Sequence, residues 1–306
     1  MKHLLSLYDC TKEEIEAILD LAIKLKADNK AGRTHHLLKG KSLGMIFSKS
    51  STRTRVSFEV GMYQLGGQAL FLSSNDIQLG RGESIYDTAN VLSRFLDGIM
   101  IRTYAQSDVE DLAKFGSISV INGLTDLLHP CQIQADFQTI YEHKGKLEGL
   151  KLAYVGDGNN ISNSLLYGCS KIGMNISVAT PVGFECDSTV TARALEDAKK
   201  SGSVVDISND PDKAVANADV VVTDTWVSMG QEAEKQERIK IFKDYQVSAE
   251  RMATAKEDAI FLHCLPAYRG YEVVPEVIDG PQYVIFDEAE NRLHAQKAVM
   301  AMCMGE

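Results

Sequence analysis

The sequence predicts an α/β protein of two domains, each a mostly parallel sheet flanked by helices, with an active-site cleft between them. Three observations carry that prediction. Short, nearly continuous apolar runs alternate with helical stretches, the pattern of parallel strands covered on both faces. The alternation stops at a polar, glycine-bearing stretch, Lys144-Gly145-Lys146-Leu147-Glu148-Gly149-Leu150, and then restarts. The length, 306 residues, suits two domains of ~150 residues each. The first domain is expected over 1–145, joined by a C-terminal helix at about 287–306, and the second over 146–286.

Taken in order, Thr11-Lys12-Glu13-Glu14 is a capping box. Ile15, Ile18, Leu19, Ala22, Ile23 and Leu25 follow at helical spacing, which predicts a helix over 11–28. Strands are expected at 43–47, 69–72, 98–101 and 118–121, with helices at 52–65, 84–96, 108–115 and 131–143. Beyond the hinge, strands are expected at 151–155, 176–179, 203–206, 219–223 and 259–262. The helices between them are expected at 161–172, 188–201, 211–217 and 232–254. A last strand at 283–286 leads into a terminal helix at about 287–304.

Composition removes several classes of function. The formal net charge is −10 with no basic tail, which argues against nucleic-acid binding, where phosphate contacts need a basic face. Cys10, Cys131, Cys169, Cys186, Cys264 and Cys303 are scattered without a CxxC pair, so neither a zinc ribbon nor a disulfide scaffold is suggested. No apolar run approaches the ~18 residues that span a bilayer. The N-terminal apolar stretch is too short for a signal peptide and soon meets acids, so the cytoplasm is the expected location.

In open α/β sheets, ligands sit beyond the carboxyl ends of the strands. Five polar clusters occupy such positions, at 48–55, 102, 156–160, 224–230 and 263–267, and the helix start at 129–132 also follows a strand. Ser48-Lys49-Ser50-Ser51-Thr52-Arg53-Thr54-Arg55 follows the first strand and opens a helix. Helix N-terminal N–H groups, three hydroxyls and an arginine fork would hold a phosphate; the plainer alternative is a capped helix with a solvated basic turn. It is no Walker loop, since GxxxxGK[ST] is absent. Arg102 follows the third strand. His129-Pro130-Cys131-Gln132 opens a helix and could offer an imidazole to a carbonyl oxygen, or simply be a helix start with proline at its first position.

Gly156-Asp157-Gly158-Asn159-Asn160-Ile161 invites a dinucleotide reading, but Ile161 replaces the third glycine and the next strand ends without a ribose-binding acid. A tight turn presenting Asn159 or Asn160 to a polar ligand fits better. Asp224-Thr225-Trp226-Val227-Ser228-Met229-Gly230 could anchor a cationic amine, or be an ordinary loop. His263-Cys264-Leu265-Pro266 leaves a strand with Cys264 as nucleophile, ligand or small buried residue.

In combination these clusters say more. SxRTR, HPCQ, DxxxSMG and HCLPA, in that order and spacing, resemble the aspartate/ornithine transcarbamoylase family, and within it the ornithine-using members. The resemblance runs from the first helix to Glu290-Asn291-Arg292. It implies transfer of a carbamoyl group from carbamoyl phosphate to L-ornithine, giving L-citrulline and phosphate, with no metal and no organic cofactor. Ser51, Thr52, Arg53 and Thr54 would bind the phosphate, with Arg102 also reaching carbamoyl phosphate. His129 and Gln132 would hold the carbamoyl group, and Arg292 would join the same site. Asn160, Asp224, Ser228 and Met229 would contact ornithine, while Cys264 and Leu265 would border both ligands. Gln78 resembles a residue lent to a neighbouring subunit's site, and the family implies a homotrimer. The segment after Arg292, Leu293-His294-Ala295-Gln296, departs from many members. A cis Leu265–Pro266 bond is a further family expectation.

On this reading Arg53, Thr54, Arg102 and His129 form an oxyanion site, and Asp224 with Cys264 orients the amine and helps deprotonate it. Carbamoyl phosphate binds first, and the 224–236 loop, which carries the only tryptophan, Trp226, then closes over ornithine. Arginine biosynthesis is the expected role. The alternatives are a different acceptor amine such as putrescine or an acylated ornithine, the catabolic ornithine enzyme, and a non-catalytic homologue that binds other enzymes.

Overall fold

The structure, a computed structural model, describes residues 1–227 and 231–305. It divides into two units, Met1–Gln138 with Ala289–Glu306, and Thr139–Glu288. The chain opens with α1 (Lys12–Lys30), β1 (Ser42–Phe47), α2 (Thr52–Gln64), β2 (Gln68–Ser73) and α3 (Ile85–Leu92). β3 (Gly98–Arg102), α4 (Gln106–Phe115), β4 (Ser119–Leu124) and α5 (Pro130–Lys144) follow. Next come β5 (Lys151–Val155), α6 (Asn160–Ile172), β6 (Asn175–Ala179), α7 (Ser188–Ser201), β7 (Val205–Ser208), α8 (Pro211–Val215) and β8 (Val220–Val222). The chain ends with α9 (Lys235–Phe242), α10 (Ala249–Met252), β9 (Ile260–Leu262), α11 (Pro275–Ile278) and α12 (Ile285–Met304).

Among the described residues, the first unit holds a parallel sheet in the order β2-β1-β3-β4. Its central strands are short runs such as Gly98-Ile99-Met100-Ile101-Arg102, buried along their whole length. Ile46, Ile99, Ile101 and Val120 pack there against Ala89 of α3 and Val109 and Leu112 of α4. Each such aliphatic side chain contributes about 1.5–3 kcal/mol on burial. α1 starts at the expected capping box: the Glu14 N–H donates to Thr11 Oγ1 at 3.2 Å, and the Thr11 N–H donates to Glu14 Oε2 at 3.0 Å.

The second unit holds a parallel sheet in the order β7-β6-β5-β8-β9. Its core joins Ala153, Val155 and Val221 to Phe261, Val247, Val277 and Ile278. One close approach shapes the turn after β5: a Cβ on Gly158 would lie 2.2–2.4 Å from the backbone of Glu185 and Cys186. Only glycine fits there.

Two expected elements differ. The single helix at 232–254 is broken into the 3-10 turn Glu232–Glu234, α9, the 3-10 turn Lys243–Tyr245 and α10. Val247, between them, forms an isolated bridge with Val273, and the Ser248 side chain starts α10 by accepting from the Arg251 N–H at 3.2 Å. The strand expected at 283–286 reduces to one bridge, Tyr283 with Phe261, because Ile285 already begins α12.

Candidate active site

In the first unit, polar side chains gather at the carboxyl ends of β1, β3 and β4. Ser51 caps α2, its hydroxyl accepting from the Thr54 N–H at 3.2 Å. Thr52 and Arg53, in the first turn, are exposed, whereas Thr54 is buried. The plain alternative, a capped helix, is therefore true, and it also sets an arginine at a helix N-terminus, where dipole and N–H groups favour an anion. Arg55 turns elsewhere: it pairs with Glu59 at 3.0 Å and stacks on Phe71 at 3.8 Å.

Arg292, on α12, is the hub of this cluster. Its Nη1 donates to Gln132 Oε1 at 2.7 Å and its Nη2 to Thr54 Oγ1 at 3.2 Å. The Gln296 amide, one turn on, satisfies its neighbours with its oxygen accepting from Arg292 Nη2 at 2.8 Å and its nitrogen donating to Ser57 Oγ. Gln132 also donates to Asp136 Oδ1 at 2.8 Å. Arg102 is buried at the end of β3, where its carbonyl accepts from the Ser48 N–H at 2.8 Å. His129 is buried too, and its pKa falls well below the usual imidazole value. Burial is the first cause; the positive charges of Arg292 and Arg102 add to it. The imidazole is therefore neutral at neutral pH. Gln78 lies apart from this set, exposed in the 3-10 turn Gln78–Arg81 beyond β2.

In the second unit, Asp224 follows β8 and is buried. One carboxylate oxygen accepts from Asn159 Nδ2 at 2.8 Å. The other accepts from the Thr225 N–H at 2.8 Å and from the Cys264 thiol at 3.2 Å. Asn159 also caps α6, its Oδ1 accepting from Ile161 N–H at 2.9 Å. Asn160 is the first residue of that helix. Ser228, Met229 and Gly230 lie outside the described residues.

After β9 the chain turns through Leu265, at φ 58°, into a cis Leu265–Pro266 bond, as expected. His263 holds this turn. Its Nδ1 accepts from the Leu265 N–H at 2.9 Å, so its Nε2 carries the proton that meets Glu272 Oε1 at 3.2 Å. Ligand atoms of Asp224, His263 and Cys264 lie within 4.8 Å of one another. With both ring nitrogens committed, however, the imidazole keeps no lone pair for a metal.

The sequence reading missed several supports of these side chains. Asn159 had a local signal, an Asx residue just ahead of a helix. Asp157 and Arg238 had none, since they lie 81 residues apart, and Glu272 had none because no local pattern ties it to His263.

Parallel α/β units bearing an anion-binding set on one and a carboxylate–thiol set on the other suit a transferase acting on small polar molecules. The comparisons narrow that class. A model described as the carbamoyl-phosphate-binding domain of aspartate/ornithine carbamoyltransferase matches residues 2–142. The corresponding Asp/Orn-binding domain matches residues 148–303. The chain belongs to the aspartate/ornithine carbamoyltransferase family. It is 63% identical over 306 residues to the ornithine carbamoyltransferase of Caldicellulosiruptor saccharolyticus, covering 100% of this chain and 99% of that one. The solved ornithine carbamoyltransferase from Pyrococcus furiosus is 55% identical, with a TM-score of 0.96 over 99% of this chain and 97% of its own. The anabolic enzyme from Campylobacter jejuni is 42% identical, with a TM-score of 0.93 over 99% of each chain.

Proposed function

We propose that the chain transfers the carbamoyl group of carbamoyl phosphate to the δ-amine of L-ornithine, forming L-citrulline and phosphate. The observation that carries this reading is Asp224. A buried carboxylate braced by Asn159, Thr225 and Cys264 suits the ammonium of ornithine and repels the second carboxylate of aspartate. The names of the relatives from C. saccharolyticus and P. furiosus support the same acceptor.

Carbamoyl-phosphate binding is assigned to 1–145 with the C-terminal helix, and ornithine binding to 146–286. Ser51, Thr52, Arg53 and Thr54 take the phosphate, with Arg102. Gln132 and Arg292, already hydrogen-bonded to each other, orient the carbamoyl end with His129. Asn160, Asp224, Ser228 and Met229 hold ornithine, while Cys264 and Leu265 border both ligands. The neutral δ-nitrogen attacks the carbamoyl carbon, negative charge gathers on the former carbonyl oxygen, and the C–O bond to phosphate breaks with its electron pair on phosphate. A neutral His129 donates a hydrogen bond to that oxygen, and Arg53 and Arg102 supply charge. Each such donor is worth about 3–4 kcal/mol in the transition state. Asp224 and the Cys264 thiol orient the amine and help to deprotonate it, the proton passing to the departing phosphate. Electrons and protons balance without metal or organic cofactor.

Self-association as a homotrimer, with Gln78 lent to a neighbouring subunit's site, is part of the proposal. It is supported by an exposed apolar stripe on α2, Val56, Val60 and Tyr63, beside exposed Leu70 and Phe71 of the edge strand β2. A biosynthetic role in arginine formation is supported by the relative from P. furiosus named as anabolic. A cytoplasmic location is supported by cysteines that are all free thiols; no described helix is long and apolar enough to cross a membrane. The test of the reaction is citrulline formation with ornithine, run in parallel with putrescine and N-acetylornithine.

A further inference from the structure

Arg238, on α9, is held from several sides, yet none of the chemistry above uses it. It is buried. Its Nη2 donates to the Asp157 carboxylate, and its Nε donates to the Trp226 carbonyl at 2.5 Å. Phe184 and Phe242 lie against the guanidinium at 4.9 and 5.1 Å. Glu234, one turn back, is a looser partner at 3.7 Å. The edges and faces of one planar cation are thus filled by residues from four segments. Lysine could not reproduce this, since a point charge has neither the fork nor the flat face.

The two segments tied by its edges are the ones that frame Asp224. Asp157 lies in the turn after β5, and Trp226 is two residues beyond Asp224. The same segments are joined again by Asn159 Nδ2 and Asp224 Oδ2 at 2.8 Å. Arg238 also balances charge. Asp157 and Asp224 are close enough to repel, and burial with that repulsion lifts the Asp157 pKa to about 6 even beside the guanidinium. The other titratable groups felt around this pair are the Tyr154 phenol and the Cys186 thiol, both driven upward by burial, and Cys264.

We propose that Arg238 is a positioning residue for the amine substrate: it fixes the Asp224–Trp226 segment through the Trp226 carbonyl and Asp157. The assignment rests on the reading that Asp224 binds ornithine. Without the guanidinium, Asp157, already lifted to about 6 by burial, takes its proton more readily, and the turn after β5 loses its tie to the Trp226 segment. The Asp224–Trp226 segment then loses its brace and the amine loses a nearby negative charge, while carbamoyl-phosphate binding has no part in the change.

The experiment measures initial rates of citrulline formation by the full chain against each substrate, from about pH 6 to about pH 9, so that the carboxylate titration is spanned. Arg238→Gln is expected to raise KM for ornithine about 10- to 100-fold near neutral pH, the range of a lost charge-assisted hydrogen bond. KM for carbamoyl phosphate stays as in the wild type. Arg238→Lys, which restores charge without the fork, raises KM for ornithine less. The variant-to-wild-type ratio of KM for ornithine, in which the substrate's own titration cancels, falls as pH rises and Asp157 ionises. Both KM values moving together, neither moving, or a ratio independent of pH overturns the assignment. Should Arg238→Gln fail to fold, Asp157→Asn decides: a raised KM for ornithine alone supports the assignment, and wild-type values overturn it. A wild-type chain that makes no citrulline overturns the ornithine reading itself, and this assignment with it.

Discussion

At the scale of single residues, the chemistry depends on charges whose state is set by burial. His129 is held neutral by its burial, with the charges of Arg292 and Arg102 adding to it. That suits a hydrogen-bond donor to an oxygen that becomes negative, and it removes the imidazole as a source of pH dependence near neutrality. His129→Ala is expected to lower kcat about 10²–10³-fold, the usual loss for one oxyanion donor; a loss under about tenfold in steady-state rates would remove His129 from that role. His294 is the stranger histidine. It is buried on α12, neither ring nitrogen has a hydrogen-bond partner among the described residues, and the charges of Lys297, Lys26, Lys30 and His35 act on it, with Glu290 at 3.7 Å. Burial and those cations push its pKa to about 3. The unfolded chain takes the same proton near the ordinary value of about 6.5. Between those values the unfolded state binds more protons, so stability is full above about 6.5 and falls as pH drops. Asp157, raised to about 6, acts in the opposite direction below that pH. His294→Leu should therefore lose less Tm than the wild type between about pH 7 and about pH 5, and it also relieves two unsatisfied nitrogens. Equal acid sensitivity in thermal melts would show that His294 carries no such linkage.

At the scale of elements, the alternation of strand and helix was legible because each strand is a short apolar run with its own boundary. β5 stands where expected, and α7 matches residue for residue at 188–201. The failures share a cause. Periodicity along the chain cannot register the Val247–Val273 bridge that breaks the helix expected at 232–254, nor decide whether Tyr283-Val284-Ile285-Phe286 extends a strand or starts a helix. The site shows the same division. Ser51 and Thr54 were readable from a local capping pattern, whereas the Arg292 contacts with Thr54 and Gln132 span 238 and 160 residues. The turn after β5 offers a test at this scale. Gly158→Ala places a methyl group against the backbone of Glu185 and Cys186. Backbone cannot swing aside, so a loss of about 1–3 kcal/mol is expected. A calorimetric Tm equal to that of the wild type would mean the turn has more room than its geometry indicates.

At the scale of the whole molecule, α2 offers two surfaces. Its N-terminus presents Thr52 and Arg53, and its exposed face carries Val56, 53% exposed, and Tyr63, 80% exposed. If that face is where copies of the chain meet, Val56→Glu with Tyr63→Glu should turn a trimer into monomers in sedimentation experiments. A wild-type sedimentation coefficient in the double variant would place the interface elsewhere. The choice of acceptor, however, defines the reaction. It is tested most directly by kcat/KM for L-ornithine against L-aspartate, measured with saturating carbamoyl phosphate on the same purified chain. The carboxylate of Asp224, held by Asn159 and the Cys264 thiol, predicts rapid citrulline formation and an ornithine preference of about 10³-fold or more, the scale of an unpaired like charge at a buried site. Carbamoylation of aspartate at a comparable kcat/KM, or no citrulline at all, would contradict the account.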